Sequence, residues 1–411
     1  MTNNSLSSSN LSESVTSISP YRQFWALDPA ITFLNHGSFG ACPIPVLEKQ
    51  SQLRSQLEAE PVRFFALELE ALLDQARQCL AEFVGANAAD LAFVPNATTG
   101  VNTVLRSLSL QAGDELLITN HEYNASRNAL NWAAELTGAT VVVAKVPFPL
   151  ATSDQIVERV LDKISTKTKL VVLDHVTSQT GLIFPLRVLV QELSKRGIEV
   201  LVDGAHAPGM LSLNLKELGV AYYTGNCHKW LCSPKGAAFL YIREDLRSRV
   251  RPLVISHGAN SPRCDRSFFH LEFDWMGTAD PTPYLCVPTA IEFMGSLLPE
   301  GWTGLMRHNR TTVLAARRQL CQALNVLPPC PEAMIGSMAV IPLPDGSVEL
   351  LKDQLFQQFQ IEVPVIPWID PCNRLLRISA QIYNTPTDYD VLARALLQLL
   401  AAEPKNIEAY E

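Results

Sequence analysis

The sequence lacks a long apolar run and a leader-like start, and each absence argues against a class of protein. Its longest apolar runs are about the length of a strand and end in polar residues, so we expect no membrane-spanning helix. The first residues have no basic start and no apolar stretch, which argues against a secretory signal. Residues 1–20 are instead rich in Ser and Asn and predict a disordered tail.

Paired cysteines and a positive charge are also missing. Nine cysteines are scattered singly with no C-x-x-C pair, so we expect neither a disulfide framework nor a metal site, and we predict a cytoplasmic protein. The net charge is −8, which argues against a nucleic-acid partner because the phosphate backbone rewards basic surfaces. At 411 residues and 47% hydrophobic, the chain should fold into two well-buried domains.

A regular alternation of short apolar runs and helical patterns begins near residue 90. Near-continuous apolar strands separated by helices indicate a mainly parallel sheet covered on both faces, an α/β fold. Ligands bind such sheets beyond the carboxyl ends of the strands. The predicted strands are 91–95, 115–119, 140–145, 169–174, 198–203, 220–225 and 237–242, and the helices between them are 99–108, 124–136, 153–163 and 185–196.

The flanking segments have a different pattern. Two helices, 44–59 and 66–84, precede the alternation, and helices near 287–297, 303–324 and 386–402 follow it with weaker strands between them. We therefore predict a large α/β domain over residues 32–286. Residues 21–31 and 287–411 should form a smaller α+β domain.

Two charged residues at predicted strand ends suggest a cofactor. Asp203 ends the run 198–203, and Lys229 follows the run 220–225 in the sequence H-K-W. A lysine that forms a Schiff base and a carboxylate that pairs with the pyridine nitrogen are what pyridoxal 5′-phosphate requires. Lys235 competes for the first role, but it lies in S-P-K-G, which is typical of a turn.

A helix start after the first strand could hold the phosphate of that cofactor. Strand 91–95 is followed by N-A-T-T-G and a helix, so hydroxyls and free backbone N–H groups meet at one helix terminus. Thr98 alone would more simply cap the helix. Together with Asp203 and Lys229, the segment favours phosphate binding.

Taken in order, five motifs carry a resemblance to a known family: N-A-T-T-G, H-E-Y-N-A, V-T-S-Q-T-G, V-D-G-A-H and G-N-C-H-K-W. They resemble the class V aminotransferases, which include the cysteine desulfurases. F-L-N-H-G-S-F-G and H-K-W-L-C-S-P-K-G look most like the isopenicillin N epimerase-like branch. The resemblance covers residues 30 to 400. It implies the aspartate aminotransferase-like fold of PLP-dependent transferases, fold type I, with pyridoxal 5′-phosphate as cofactor.

The resemblance also implies a role for each cofactor-binding position. Lys229 would hold the cofactor and Asp203 its pyridine nitrogen, while Tyr123 would stack on the ring, although ordinary packing of this tyrosine is an alternative. His206 would lie at the ring edge or be a core histidine. The remaining positions would donate hydrogen bonds: Ser178 to the phenolic oxygen, and Thr98, Thr99, Asn226 and His228 to the phosphate.

Substrate binding and assembly are implied by three further segments. Arg377, in R-I-S-A-x-x-Y-N-T, matches the family arginine that binds a carboxylate through its guanidinium fork, with Arg374 as a rival. Asn35 and His36 would line the substrate pocket unless N-H-G-S is a plain turn. Thr278, in a G-T loop, would reach the phosphate of a neighbouring subunit, which predicts a twofold homodimer.

The reaction itself is left open by these positions. We predict an enzyme that removes the α-proton of a small-molecule amino acid bound to the cofactor as an external aldimine, with Lys229 as general base. Epimerisation of the isopenicillin N type, C–S lysis and transamination all begin in this way. A catalytically silent PLP-binding protein is the non-enzyme alternative. Desulfuration is disfavoured, because Cys372 lies only five residues before Arg377 in a loop rich in Pro and Ile.

Overall fold

A computed structural model describes residues 18–368 and 370–403, except the side chains of residues 370–372. The predicted tail therefore lies outside the described residues as far as residue 17, as does the side chain of Cys372. The described residues form twelve strands: β1 Thr32–Phe33, β2 Leu91–Val94, β3 Glu115–Thr119, β4 Thr140–Ala144, β5 Thr168–Asp174, β6 Glu199–Asp203, β7 Tyr222–Asn226, β8 Ala238–Ile242, β9 Met338–Leu343, β10 Ile361–Glu362, β11 Val365–Trp368 and β12 Asp370–Ser379.

Helices account for most of the other described elements. No described helix is both long and apolar enough to cross a membrane. In chain order the helices are α1 His36–Phe39, α2 Ile44–Ala59, α3 Pro61–Arg63, α4 Leu69–Val84, α5 Ala97–Ser107, α6 Asn124–Thr137, α7 Asp154–Leu161, α8 Leu186–Ser194, α9 Leu215–Leu218, α10 Phe268–Phe273, α11 Thr282–Leu285, α12 Val287–Ser296, α13 Gly301–Ala323, α14 Val348–Phe359 and α15 Pro386–Ala402.

Seven strands form the central sheet, in the order β2-β8-β7-β6-β5-β3-β4. Neighbours from β7 to β4 run parallel, and only β8 is antiparallel to its two partners. The sheet is therefore mainly parallel, as the alternation of strands and helices predicts.

Burial on both faces explains the near-continuous apolar runs. In β5, Val171 and Leu173 join one cluster of buried side chains, while Leu170 and Val172 join the cluster on the opposite face. All four side chains have no exposed surface. Burying each contributes about 1.5–3 kcal/mol relative to leaving it in water, which is why polar residues are confined to the strand ends.

The C-terminal part builds a smaller α+β unit. Its antiparallel sheet has the order β11-β12-β9, and α14 packs against β11 and β12. Strand β1 pairs in parallel with β10. Residues 32–33, at the start of the predicted large domain, thus hydrogen-bond to a strand from the C-terminal part. The division into domains otherwise stays a prediction.

Candidate active site

The acidic and amide residues that end the central strands meet at one edge of the sheet. Asp174 ends β5, Asp203 ends β6 and Asn226 ends β7. Asp174 and Asp203 are register partners in neighbouring parallel strands, so their side chains project to the same face. This carboxyl edge is where ligands bind open parallel sheets.

Lys229 lies three residues beyond β7, with its amine inside the protein. The amine Nζ is 3.2 Å from Nε2 of His206. Burial lowers the pKa of Lys229 to about 8, and Asp203 opposes this shift. A lysine with a lowered pKa is neutral more often and is therefore a better nucleophile and base. The rival Lys235 lies in a turn and is exposed.

The backbone of Lys229 is held by residues far away in sequence. Its carbonyl oxygen lies 3.1 Å from Nε2 of His36, a ring that has no exposed surface and packs at a tilt against Trp230. His36 also contacts the Tyr383 hydroxyl through Nδ1 at 2.8 Å. His36, predicted to line the substrate pocket, therefore lies behind the lysine and positions it.

Asp203 is a buried carboxylate with room for another partner. The Ser126 hydroxyl donates to its Oδ2 at 2.9 Å, and the Ala205 N–H donates to its Oδ1 at 3.0 Å. Burial raises the pKa of Asp203, and the two hydrogen bonds oppose that shift. Since two carboxylate oxygens can accept about four hydrogen bonds, the group can still accept one from a cationic ring nitrogen.

Two more buried carboxyl groups lie beside Asp203. Glu122 and Asp174 are each about 2% exposed, and both oxygens of Glu122 and Oδ2 of Asp174 have no hydrogen-bond partner among the described residues. Burial raises the pKa of both groups, and the charge of Asp203 raises both further. Like charges this close do not ionise together, so we infer that the cluster holds protons at neutral pH.

The start of α5 carries the residues that the sequence predicts to bind the phosphate. Asn96 caps the helix by accepting the Thr99 N–H at 2.8 Å, and Asn226 Oδ1 accepts the Ala97 N–H at 2.9 Å. Asn226 thereby ties the strand end to the helix start. Thr98 and Thr99 lie in the first turn of α5, where the positive end of the helix dipole favours an anion.

His228 lies next to Lys229 and points one ring nitrogen into the protein. Its Nδ1 lies 2.9 Å from the carbonyl oxygen of Ala237. Burial lowers the pKa of His228 to about 4, and Lys229 lowers it further. A bound phosphate would act in the opposite sense, because a neighbouring anion favours the imidazolium form.

Arg377 is brought to the same edge from β12 in the smaller part. Its guanidinium donates to the carbonyl oxygen of Ser178 and, at 2.7 Å, to the hydroxyl of Ser38. Asn35 Oδ1 lies 3.4 Å away, and Nε has no partner among the described residues. Burial lowers the pKa of Arg377 to about 10. A buried guanidinium without a carboxylate is suited to bind one from a substrate.

Arg374, the rival of Arg377, is already paired. It donates to both carboxylate oxygens of Glu403, at 2.8 and 2.7 Å, and its side chain has no exposed surface. It also donates to the carbonyl oxygens of Pro344 and Ser347. Arg374 therefore stabilises the smaller part, and Arg377 remains the candidate for the substrate.

Thr278 lies apart from the other predicted site residues. It lines a mostly apolar groove of about 550 Å³ between the α3–α4 segment and residues 270–278. The groove also contains Phe65, Leu69 and Trp275, but none of the other predicted site residues lines it. Within one chain, Thr278 thus has no visible link to Lys229.

A comparison with known families decides the identity of this arrangement. The family described as Aminotransferase class-V matches residues 40–279. The chain belongs to the class V aminotransferases. Its cofactor is therefore pyridoxal 5′-phosphate, as predicted, and the fold type is confirmed by solved structures of the family.

Individual relatives of this class V aminotransferase differ in their printed activities. An isopenicillin N epimerase of Amycolatopsis lactamdurans is 36% identical over 92% of this chain and 97% of its own. A probable chloroplastic L-cysteine desulfhydrase of Arabidopsis thaliana is 29% identical over 90% and 83%. A solved structure of C-DES, with glycine covalently linked to its PLP cofactor, has a TM-score of 0.77 at 23% identity, covering 92% of this chain and 99% of C-DES.

The side chains present in this class V aminotransferase fit the cofactor. The buried carboxylate of Asp203 has spare acceptor capacity, and Nδ1 of His206 has no partner among the described residues. The helix start at Thr98 and Thr99 offers N–H and O–H donors for a phosphate. Lys229 supplies an amine of lowered pKa. The site thus offers a carboxylate for the ring nitrogen, hydrogen-bond donors for the phosphate and an amine for attachment of the cofactor.

Several residues that shape this site have no clear signal in the sequence. Ser126 reaches Asp203 across 77 positions, and Ser38 reaches Arg377 across 339 positions. Glu122 immediately precedes Tyr123 in the H-E-Y-N-A motif. Its place in that motif is the one sign in the sequence that Glu122 lies near the site. Spacing along the chain does not reveal which distant side chains share a pocket.

Gly40 allows the Lys229 segment to approach closely, and we expect Gly40→Ala to disturb it. Gly40 has φ +69°, and a Cβ there would lie 2.3 Å from the His228 carbonyl oxygen and 2.9 Å from the Lys229 Cα. The matched control is Gly113→Ala, with φ +90° and nothing within 4 Å. The left-handed conformation alone destabilises either variant by about 1–2 kcal/mol.

Gly40→Ala should therefore unfold at lower urea concentration than Gly113→Ala and bind the cofactor more weakly. Urea titration and absorption of the bound cofactor measure the two effects. Equal unfolding midpoints and equal cofactor affinity in the two variants would contradict the close approach.

Glu122→Gln should make stability less dependent on pH. The unfolded chain loses this proton near pH 4.5, whereas the folded protein retains it to higher pH. Over that interval the folded state binds more protons, so the free energy of unfolding falls as pH rises, by about 1.4 kcal/mol per unit. The glutamine amide does not ionise, so the variant should not show this fall in the free energy of unfolding.

The measurement is urea unfolding of the two proteins, freed of cofactor, at several pH values from 4.5 upward. Glu135→Gln, an exposed position on α6, is the control and should follow the wild type. A Glu122→Gln curve that runs parallel to wild type over the whole range would show that Glu122 is ionised in the folded protein.

Proposed function

We propose that this class V aminotransferase is an epimerase that inverts the α-carbon of an amino acid, a reaction of the isopenicillin N epimerase type. The observation that carries the proposal is the meeting of Lys229, Asp203 and Arg377, from three separate parts of the chain, at one sheet edge. An amine, an anion and a guanidinium together suit an α-amino acid bound beside the cofactor. Identity of 36% to an isopenicillin N epimerase over nearly the full length supports the choice of reaction.

The residues are proposed to act as follows. Arg377 binds the substrate carboxylate, with Asn35 and Ser38 orienting the guanidinium. Lys229 would hold the cofactor in the resting enzyme, and its amine would then accept the α-proton. Eight further residues are proposed to contact the cofactor: Asp203 at the pyridine nitrogen, Tyr123 at the ring face, His206 and Ser178 at the ring edge, and Thr98, Thr99, Asn226 and His228 at the phosphate.

The chemistry is divided between cofactor and protein. When bound, pyridoxal 5′-phosphate supplies an electron-poor ring that stabilises negative charge at the α-carbon. Asp203 maintains that property by keeping the ring nitrogen protonated. Lys229 accepts the proton at Nζ, and the neighbouring His206 stays neutral because burial lowers its pKa well below its ordinary value. Because the imidazole at 3.2 Å is neutral, it does not oppose protonation of the Lys229 amine by charge repulsion.

C–S lysis is the second candidate. It is supported by the L-cysteine desulfhydrases among the relatives, which are 29% identical or less. The first proton removal would be the same, and the sulfur would then leave from the β-carbon. Burial raises the pKa of Cys227 and Cys232 above that of a free thiol, so neither suits the nucleophilic role that desulfuration needs.

One experiment separates these reactions. The PLP-loaded protein is incubated with isopenicillin N, with a panel of L-amino acids and with L-cysteine and L-cystine. Chiral chromatography measures D-isomers, and sulfide and pyruvate assays measure lysis. Epimerisation predicts isomers without pyruvate, and Lys229→Ala is the blank. Formation of pyruvate and sulfide without D-isomers would favour C–S lysis over epimerisation. Absence of turnover on every substrate would overturn both proposed reactions.

Assembly as a homodimer is part of the same proposal. The apolar groove beside Thr278 is lined in part by Val62, which is 80% exposed, and Leu67, next in sequence to the lining residue Ala66, is 72% exposed. Large exposed side chains beside an apolar groove are typical of an interface. We place a second copy there, with Thr278 reaching the partner's phosphate site. Sedimentation should give twice the chain mass, and Val62→Asp should shift it toward one chain.

A cytoplasmic location completes the proposal. The eight cysteines whose side chains are described are all free thiols. Free thiols in this number are typical of a reducing compartment. Fractionation of the source cells with an antibody to the protein would test the assignment.

A further inference from the structure

The turn that carries Lys229 has an unfavourable backbone conformation. Cys232, three residues after the lysine, has φ +64°, in the left-handed region that residues other than glycine rarely adopt. Its N–H donates to the Lys229 carbonyl oxygen at 3.1 Å and closes the turn. A residue in such a conformation persists only where the surrounding structure holds it. The Lys229 turn therefore depends on contacts from outside itself.

His36 supplies such a contact from a distant part of the chain. Its Nε2 lies 3.1 Å from the same carbonyl oxygen, and the ring centroids of His36 and Trp230 are 4.8 Å apart. A carbonyl oxygen can only accept, so Nε2 must carry a proton for this hydrogen bond to form. The Cys232 thiol lies 3.7 Å from Nε2, but sulfur is the weaker acceptor. The Lys229 carbonyl is therefore the principal partner of Nε2.

The Tyr383 hydroxyl determines which ring nitrogen of His36 carries that proton. The hydroxyl lies 2.8 Å from Nδ1 and can donate to it. Burial lowers the pKa of His36 to about 3, so the ring is neutral and has a single N–H. Because the hydrogen bond at one ring nitrogen sets the tautomer, donation to Nδ1 leaves the proton on Nε2, which faces the Lys229 carbonyl. Tyr383 thus acts on the lysine through the imidazole.

Gln381 is another polar group near Nε2, and its contacts agree with this tautomer. Its Oε1 accepts hydrogen bonds from the Asn309 side chain and the Ile382 N–H, both at 2.9 Å, so its amide nitrogen is the end that approaches His36. That nitrogen lies 3.5 Å from Nε2, beyond the usual hydrogen-bond range, whereas the Lys229 carbonyl oxygen lies at 3.1 Å. The opposite tautomer would place the lone pairs of Nε2 and the carbonyl oxygen against each other. The closer contact therefore favours a proton on Nε2.

We propose that Tyr383 and His36 are positioning residues that hold the backbone of Lys229 where its amine can accept the α-proton. The proposal rests on the role of Lys229 proposed above, whichever reaction follows removal of that proton. Neither residue has to touch the substrate, since Tyr383 is 1% exposed and His36 has no exposed surface. Misplacing a reacting group by about 1 Å can lower a rate by about 10²-fold, so a contact behind the lysine is enough to affect kcat.

The test compares five full-length proteins: wild type, Tyr383→Phe, Tyr389→Phe, His36→Gln and His36→Met. Tyr383→Phe removes only the hydroxyl. Tyr389→Phe makes the same change at an equally buried tyrosine, whose hydroxyl donates at 2.8 Å to the Ser379 carbonyl oxygen and not to His36. His36→Gln keeps an N–H donor on a side chain of similar length, and His36→Met keeps the length without the donor.

Two quantities report on Lys229. The first needs no turnover: PLP is added to cofactor-free protein, samples are reduced with borohydride at timed intervals, and mass spectrometry follows the cofactor fixed at residue 229. The second is α-deuterium exchange in D₂O by the PLP-loaded protein, with the L-amino acid that wild type exchanges most rapidly, analysed as kcat and KM. Urea unfolding shows whether the two tyrosine variants lose similar stability.

Tyr383→Phe and His36→Met should attach the cofactor more slowly than wild type. Their kcat for exchange should fall by about 10- to 100-fold with KM nearly unchanged, because the contacts of Arg377 are intact. His36→Gln should recover most of the lost kcat, and Tyr389→Phe should match wild type.

Equal attachment rates and equal kcat in Tyr383→Phe and Tyr389→Phe would overturn the proposal. Equal defects in His36→Gln and His36→Met would also overturn it, because packing alone would then explain the role of His36. If Tyr383→Phe does not fold, the two His36 variants decide the question in the same way. A wild-type protein with no cofactor fixed at residue 229 would overturn the proposed role of Lys229 itself.

Discussion

Lys229→Ala is expected to lose both the covalently bound cofactor and turnover. The buried amine of Lys229 has the lowered pKa that Schiff-base formation requires. Losing a general base alone reduces rates by about 10²–10⁴-fold, and here the point of attachment is lost as well. Borohydride reduction followed by mass spectrometry should find the cofactor fixed to wild type at residue 229 and absent from the variant.

Lys235→Ala is the matched control for this experiment. Lys235 lies six positions further on, in an exposed turn, so its removal should leave attachment and turnover unchanged. The visible absorption of the bound cofactor provides a second readout that does not depend on activity. Cofactor fixed to Lys229→Ala but not to Lys235→Ala would assign the attachment to the other lysine.

Arg377→Gln and Arg374→Gln should have opposite effects, although the two positions are only three residues apart. Arg377 has no carboxylate partner among the described residues, so its loss should act on substrate binding. Removing one member of a buried charge pair costs about 2–5 kcal/mol, which corresponds to a fall of roughly 30- to 5000-fold in kcat/KM. The urea midpoint of Arg377→Gln should stay near that of wild type.

Arg374→Gln should instead destabilise the fold. It leaves Glu403 without its buried partner, which costs about 3–5 kcal/mol. The value of kcat/KM per folded molecule should remain at the wild-type level. Steady-state kinetics and urea unfolding of both variants check the pair. If Arg374→Gln were folded but failed to bind substrate, the assignment of the two arginines would have to be exchanged.

The sequence was informative about elements that have strong periodic signals. Strand 115–119 and helices 44–59 and 386–402 have the predicted bounds. The helix predicted from residue 66 begins instead at Leu69, because Phe64–Glu68 form a π-helical turn. Apolar spacing reports which residues face the core, but it does not report whether an N–H bonds to the fourth or the fifth residue before it.

The site was predictable only where chain order and strand ends determine position. Asp203 and Lys229 follow strands, so their place at the carboxyl edge follows from the topology. His36 is different, because its ring lies against the Lys229 carbonyl across 193 positions. The motif N-H-G-S gives no sign of that contact. Positioning residues of this kind come from the meeting of distant segments and become visible only in the folded protein.

The contact between His36 and Lys229 also links the two groups that would bind the two ends of an amino acid in the proposed function. Leu34 and Gly37 hydrogen-bond to Ser379 on β12, so the segment around His36 is tied to the strand that carries Arg377. The His36 imidazole contacts the backbone of Lys229. It therefore lies between the strand that carries Arg377, which would bind the carboxylate, and Lys229. We expect such a link to favour substrates with a single carbon between amine and carboxylate. We therefore expect a lower kcat/KM for a β-amino acid than for the α-amino acid with the same side chain.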